Sequence, residues 1–169
     1  MKKGRIAIVP GSFDPITVGH IDIAKRAAQM YETVYLAVMI NSQKEYLFSL
    51  EERKQIAQKA FENYENIKVV SSEGMLWKLA YDLNAEAIVK GYRNKKDYDY
   101  EMKMAEFNRD HNPDAETILL ECSDGLNDVS STEVRERILH GRSFDDLLPE
   151  QVAQLVYKFI ERKNISSKK

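Results

Sequence analysis

RIAIVPGSFDPITVGHIDIAKRAAQM, residues 5–30, runs a strand pattern, a turn and a helix pattern together. Residues 5–9 are apolar and rich in β-branched side chains, as strands buried on both faces are. Residues 19–30 repeat apolar side chains at helical spacing. Between them, PGSFDPITVGH (10–20) carries two glycines, two prolines and one of the chain's three histidines on the turn that leaves the first strand. Gly11 lets the backbone turn where a side chain would collide with a ligand. Ser12 offers a hydroxyl and an N–H, and Asp14-Pro15 is turn chemistry. Gly19 and His20 open the helix, where free N–H groups and the dipole favour an anion. A Gly-His pair alone reads as a plain turn with a capping histidine. The whole string, placed directly after a first strand, favours a phosphate site.

The alternation continues outward. Residues 34–40, 67–71, 86–90 and 116–121 repeat the strand pattern, and helical patterns lie near 19–30, 50–63, 74–83 and 97–110. Ser49 with Glu52, and Ser130 with Glu133, stand at capping-box spacing and start two helices. Gly141 is a natural residue to end the second of these. A last helix follows Pro149 over about 150–162, with Val152, Leu155, Val156, Phe159 and Ile160 on one stripe. Residues 163–169 are expected to fray. Five strands alternating with helices predict an α/β chain, a doubly wound five-stranded parallel sheet in one domain over 1–169. Ligands of such sheets bind beyond the carboxyl ends of the strands.

Totals narrow the function. The chain has 169 residues, 25 basic and 27 acidic side chains and a formal charge of −2. That balance gives no general attraction to nucleic acid or to an anionic membrane, so an anion site must be local. The single cysteine, Cys122, fits a reducing cytoplasm. The basic start MKKGRIAIVPG precedes too short an apolar run for a signal peptide. No stretch nears the roughly 20 apolar residues that span a bilayer.

The strings GSFDP and TVGH resemble the nucleotidyltransferase signature, Gly-Ser/Thr-Phe-Asp-Pro followed by (His/Thr)-x-Gly-His. GHIDIAKRA, FSLEER (48–53), KGYRNKKDYDYEMKMA (90–105) and VSSTEVRE (129–136) extend the likeness to the bacterial phosphopantetheine adenylyltransferases over roughly residues 5–160. The resemblance implies a Rossmann-like nucleotidyltransferase fold and one reaction. AMP passes from ATP to the phosphate of 4′-phosphopantetheine, releasing pyrophosphate and forming dephospho-coenzyme A. The nucleophile is already an anionic oxygen, so positioning and donors to phosphate are the main demands.

By the same resemblance His20 contacts the α-phosphate, Ser12 orients the phosphates and Thr17 stands for the first motif histidine. Lys44, after strand two, bridges the acceptor phosphate and the α-phosphate, and a flexible point charge suits that task. The family often follows this lysine with a second Lys and then Pro; this chain has Glu45 and Tyr46. Arg93 holds the β- and γ-phosphates, and Gly91 allows close approach of the adenosine. Lys90 stands where an arginine usually binds the acceptor phosphate; it keeps the charge and loses the bidentate fork. Glu101 matches an acidic position that contacts the nucleotide. Phe13, Tyr92, Leu126, Asn127, Asp128 and Val129 are assigned to the ATP site, with Leu126 in place of an aromatic. Ser130, Ser131 and Thr132 form a phosphate cradle at a helix start; simple N-capping is the plainer reading, and both can hold. Backbone near Leu76 holds the pantetheine arm. ATP use implies Mg²⁺, held mainly by phosphates and water because the sequence offers no carboxylate cage. A homohexamer and feedback binding of coenzyme A are further implications.

Other residues read more plainly. Lys95, Lys96 and Asp97 suit a solvated helix start. His111 and His140 lie near helix ends, where they complement the dipole. The histidines and Cys122 lack metal-ligand spacing, so no structural zinc is expected. Trp77, Leu79 and Leu83 read as core, and Tyr98, Tyr100 and Phe107 as core or subunit contacts. Two alternatives stay open: a sibling transferase for nicotinamide mononucleotide or glycerol phosphate, and a catalytically silent nucleotide-binding protein.

Overall fold

Neighbouring residues of the first strand bury on opposite faces of a sheet: Ala7 and Val9 join one apolar cluster, and Ile8 joins another. Two buried faces demand helices on both sides, and the chain supplies them. The computed structural model describes residues 5–167, and for 165–167 the backbone alone. The order is β1 (Ile6–Gly11), α1 (Val18–Met30), β2 (Thr33–Met39), α2 (Leu50–Ala60), β3 (Ile67–Ser72), α3 (Leu76–Asp82), β4 (Ala87–Tyr92), α4 (Lys95–His111), β5 (Glu116–Glu121), α5 (Ser131–Leu139) and α6 (Glu150–Ser167). The strands form one sheet in the order β3-β2-β1-β4-β5, every pairing parallel.

The larger cluster joins Val34, Leu36 and Val38 of β2 to Ile23 and Ala27 of α1, Ile56 of α2 and Val152, Val156 and Phe159 of α6. The smaller one sets Ile8, Ala37 and Ile88 against Ala80 of α3, with Leu76, Leu79 and Leu83 packed alongside. Trp77, expected in the core, is only half-buried and stacks on His111 with ring centroids 5.2 Å apart.

Several boundaries differ from expectation. β1 and β4 run on through Gly11 and Tyr92, because their ladders to β2 and β5 continue that far. Pro10, Gly11, Gly91 and Tyr92 therefore belong to strand ends rather than loops. The final helix does not stop near 162 but continues to Ser167; Lys163, expected to be frayed, pairs with Glu52 of α2 at 2.9 Å. Residues 1–4 and 168–169 lie outside the described residues. Ser49 and Glu52 form the expected reciprocal box. Ser130 accepts the Glu133 N–H, but the Glu133 carboxylate turns to Arg137 at 3.0 Å, so that box is half-made. Gly141 sits at φ +66°, the left-handed turn expected after α5. Among the described residues no helix is long and apolar enough to cross a membrane.

Register decides where the site lies. β1 pairs with β2 over six positions, but with β4 only at Ala7–Ala87 and Ile8–Ile88. Beyond Ile8 the two central strands part. Pro10 falls in the parted stretch, where its missing N–H costs no rung of that ladder. The strand order reverses here, the place where open α/β sheets take their ligands.

Candidate active site

The parted ends of β1 and β4 open a crevice of about 600 Å³, within the range of small-molecule sites. The N-terminus of α1 points into its floor. Thr17 caps this helix and His20 is its third residue, and the two form a reciprocal box. The Thr17 N–H donates to His20 Nδ1 at 3.0 Å, and Thr17 Oγ1 lies 3.1 Å from the same nitrogen. A ring nitrogen that accepts a backbone N–H holds its lone pair there, so the proton of the neutral imidazole belongs on Nε2. Loss of hydration, with repulsion from Arg93 second, lowers the His20 pKa to about 4. The ring therefore presents a neutral Nε2–H donor, and a triphosphate arriving beside it would offset the repulsion.

The loop after β1 is built around Phe13, a buried side chain at φ +49°. Its ring meets that of His20 edge-on, centroids 5.1 Å apart. A Cβ on Gly11 would lie 2.8 Å from Phe13 Cζ. Gly11 is thus required by this ring. Gly91 likewise faces Ile23 of α1, whose Cγ1 a Cβ would approach to 2.8 Å.

Two buried charges brace the loop. Asp14, 2% exposed, accepts the Leu47 and Phe48 N–H groups at 2.9 and 3.0 Å. Arg53 of α2, 1% exposed, donates to the carbonyls of Ser12, Met39 and Phe48 at 2.7, 3.0 and 3.2 Å. Its guanidinium also lies 3.9 Å from the centre of the Tyr46 ring. Ends of β1, β2 and α2 are thereby tied to one side chain.

Among the described residues four cations face the crevice, and they differ in what holds them. Lys90 Nζ lies 2.5 Å from Glu101 Oε2; the approach is Coulombic, without hydrogen-bond geometry. Arg93 gives its N–H and Nε–H to Asp97 at 3.2 and 3.3 Å. Asp97, expected to be a solvated charge, is instead what orients Arg93. Arg135 of α5 donates to the Asp14 carbonyl at 2.8 Å and to Thr132 Oγ1 at 3.2 Å. Lys44, on the exposed turn after β2, has an ammonium group without a protein partner among the described residues. It is the cation most available to an incoming anion.

The start of α5 closes the far wall. Its hydroxyls are engaged by the protein: Ser130 by the Glu133 N–H, Ser131 by the Pro15 carbonyl at 2.7 Å and Thr132 by Arg135. Helix geometry leaves the N–H groups of Ser131 and Thr132 as orphan donors. Only the Ser131 hydroxyl spends its proton on the protein; Ser130 and Thr132 accept in these contacts, so their O–H groups can still donate beside the amides. Ahead of it, Ser123 of the turn donates to Asp22 of α1 at 2.7 Å, and Arg26 reaches the Glu121 carbonyl at 2.8 Å.

Ser12, Phe13, His20, Lys44, Leu76, Lys90, Gly91, Tyr92, Arg93 and Glu101 all line this one crevice, as do Leu126, Val129, Ser130, Ser131 and Thr132. Asn127 and Asp128, expected with them, lie outside it, on the exposed outer side of the turn. The turn hydrogen bonds from the Leu126 N–H to Ser123 and from the Val129 N–H to Leu126 direct residues 126 and 129 inward. Sequence reading missed Arg135 and the roles of Asp97 and Arg53. The spacing of Thr17 to His20 was a usable signal, had histidine been counted as a capping partner.

Among the described residues no cluster of three or more histidine, cysteine or acidic side chains has the makings of a metal cage. Asp14, Asp97 and Glu101 are each taken by protein donors or cations. These residues do not fit a resident Mg²⁺.

Comparison with known proteins gives this geometry its context. The cytidylyltransferase-like family model matches residues 8–137. A phosphopantetheine adenylyltransferase of Lactobacillus gasseri is 39% identical over 163 residues, 96% of this chain and 98% of its own. One from Caldanaerobacter subterraneus subsp. tengcongensis is 40% identical over 156 residues, 92% and 98% of the two chains. One from Bdellovibrio bacteriovorus is 39% identical over 158 residues, 94% and 99%. Likeness of this extent, running through the crevice and out to both ends of the fold, settles descent: the chain belongs to the phosphopantetheine adenylyltransferase family, within the cytidylyltransferase-like nucleotidyltransferases.

Proposed function

We propose that the protein transfers the adenylyl group of ATP to 4′-phosphopantetheine, forming dephospho-coenzyme A and pyrophosphate in coenzyme A biosynthesis. A phosphate oxygen of the acceptor attacks the α-phosphorus, the bond from that phosphorus to the bridging oxygen of the β-phosphate breaks, and pyrophosphate leaves with its electron pair. No protein nucleophile is needed. The observation that carries this reading is the crevice itself: a neutral Nε2–H on His20 and an unpartnered ammonium on Lys44, at the point where β1 and β4 part.

His20 donates to the α-phosphate as charge builds on its oxygens, the form of stabilisation that costs least when the donor is already oriented. Lys44 offsets the repulsion between acceptor phosphate and α-phosphate. Ser12 and the Ser131 and Thr132 amides take phosphate oxygens, and Arg93, aimed by Asp97, takes the β- and γ-phosphates. Phe13, Gly91, Tyr92, Leu126 and Val129 shape the ATP side, with Asn127 and Asp128 reaching it only from the rim. Lys90 meets the acceptor's phosphate and Leu76 its arm. Lys90 must then be shared between that phosphate and Glu101, so Glu101 moderates acceptor affinity beside its place near the nucleotide. Magnesium enters as part of the MgATP substrate, coordinated by the triphosphate and water. Exposed Tyr98, Tyr100, Met102 and Phe107 on α4 support self-association, here proposed as a homohexamer, and the product's kinship with coenzyme A supports feedback binding in the same crevice. The cytoplasm, where a lone cysteine stays reduced, is the fitting compartment.

An acceptor panel tests the reading. Pyrophosphate release with ATP is expected for 4′-phosphopantetheine, and neither for nicotinamide mononucleotide nor for glycerol phosphate, with CTP in place of ATP giving none. Equal release with another acceptor would favour a sibling transferase. Nucleotide binding without release from any pair would favour the silent alternative.

A further inference from the structure

We propose that Tyr46 is a positioning residue for Lys44, clamping the turn that presents the free ammonium. The proposal rests on the transferase reading. The turn begins at Asn41, which lies beyond the end of β2. Asn41 is its hub: its carbonyl accepts the Lys44 N–H at 3.0 Å, its Oδ1 accepts the Gln43 N–H at 2.9 Å, and its own N–H donates to the Tyr46 hydroxyl at 2.7 Å. Tyr46 thus ties the end of the turn to its beginning, with Lys44 between. The ring of Tyr46 is anchored in turn, lying 3.9 Å from the Arg53 guanidinium. That guanidinium holds the carbonyls of Ser12 and Met39.

These contacts form a continuous path from Lys44 through Asn41, Tyr46 and Arg53 to the Ser12 segment on the opposite wall. Both ends of the turn are fixed independently, by β2 at Met39 and by the Asp14 carboxylate at Leu47 and Phe48. Within the exposed span Asn41 holds Gln43 and Lys44, and Tyr46 ties Asn41 to the far end of the turn. A lysine whose head group must bridge two phosphates loses rate steeply when its backbone wanders, because effective concentration depends on orientation. Tyr46 fixes the backbone without occupying the ammonium.

Tyr46→Phe keeps the ring on Arg53 and removes the hydroxyl. Losing the hydroxyl, which accepts the Asn41 N–H and donates to the Asn41 carbonyl at 3.4 Å, is expected to lower kcat roughly tenfold, with both KM values and the melting temperature little changed. In a Lys44→Ala background the same change is expected to cost nothing further, since there is no ammonium left to position. Hydrogen exchange on the unliganded protein should show the Asn41 and Lys44 amides exchanging roughly tenfold faster in Tyr46→Phe. Equal kcat losses with and without Lys44, an unchanged kcat, or unaltered exchange at these amides would overturn the proposal. Exchange needs no turnover. An inactive wild type would therefore count against the transferase reading, while the amides still judged the clamp.

Discussion

His20→Ala is expected to lower kcat about 100- to 1000-fold, the usual cost of losing one oriented donor to a developing oxyanion. The KM values for ATP and acceptor should move little, because the interaction strengthens in the transition state rather than in the ground state. Steady-state kinetics with both substrates varied measures this. The size of the effect follows from preorganisation. Thr17 already holds Nδ1, so Nε2–H is aimed before substrate arrives and no rotamer or tautomer must be selected during the reaction. The protonation state carries its own test. Burial puts His20 near pH 4 rather than 6.5. Its ring resonances should keep their neutral positions as the unliganded protein is brought from pH 8 to pH 5. A folded-state pKa below the unfolded one also means that acid opposes folding through this group: its contribution is full above about 6.5 and falls away as pH drops toward 4. A cationic His20 at pH 6 would overturn the neutral assignment, and turnover in His20→Ala within a few-fold of wild type would remove the donor from the mechanism.

Arg53→Met is expected to be the most damaging single change to the scaffold, costing about 3–5 kcal/mol. Buried ion pairs can often be exchanged for apolar side chains at little cost when both partners are replaced. That escape is closed here. The acceptors of Arg53 are the main-chain carbonyls of Ser12, Met39 and Phe48, which no substitution removes. Lysine would not rescue it, since one ammonium cannot span three divergent carbonyls with the geometry of a guanidinium fork. In a chain of this size the loss corresponds to a fall in melting temperature of roughly 10 °C, read by calorimetry. Tyr46 would lose its stacking partner and Ser12 its backbone anchor, so residual folded protein should also turn over slowly. A melting temperature within about 2 °C of wild type would show that the carbonyls find other donors.

The layered architecture was legible because burial on two faces writes itself as continuous apolar strands, and α6 because its stripe repeats at helical spacing. The parting of β1 from β4 was not. It depends on which residues of distant strands pair, and no local pattern records that. Ser130 and Glu133 had the spacing of a box, yet Arg137, one turn further on, competes for the carboxylate. Asp97 looked like a surface charge because its partner, Arg93, lies in the strand-to-helix connection and meets it only once the helix forms. At Gly11 and Gly91 a side chain will not fit, and the obstacles within the protein, Phe13 and Ile23, come from tertiary packing that no local pattern records. Arg53 was visible only as one letter of FSLEER; a charge destined for burial carries no mark in the sequence until its acceptors are known.

The central claim is a single direct displacement between two phosphates, with the protein supplying donors and no nucleophile. Its most direct measurement is the stereochemical course at the α-phosphorus. ATP bearing one sulfur-substituted, configurationally defined α-phosphate would be turned over with 4′-phosphopantetheine and the product's configuration determined. Inversion is the result this account predicts. Retention would mean two displacements and an adenylylated side chain between them, and would contradict it.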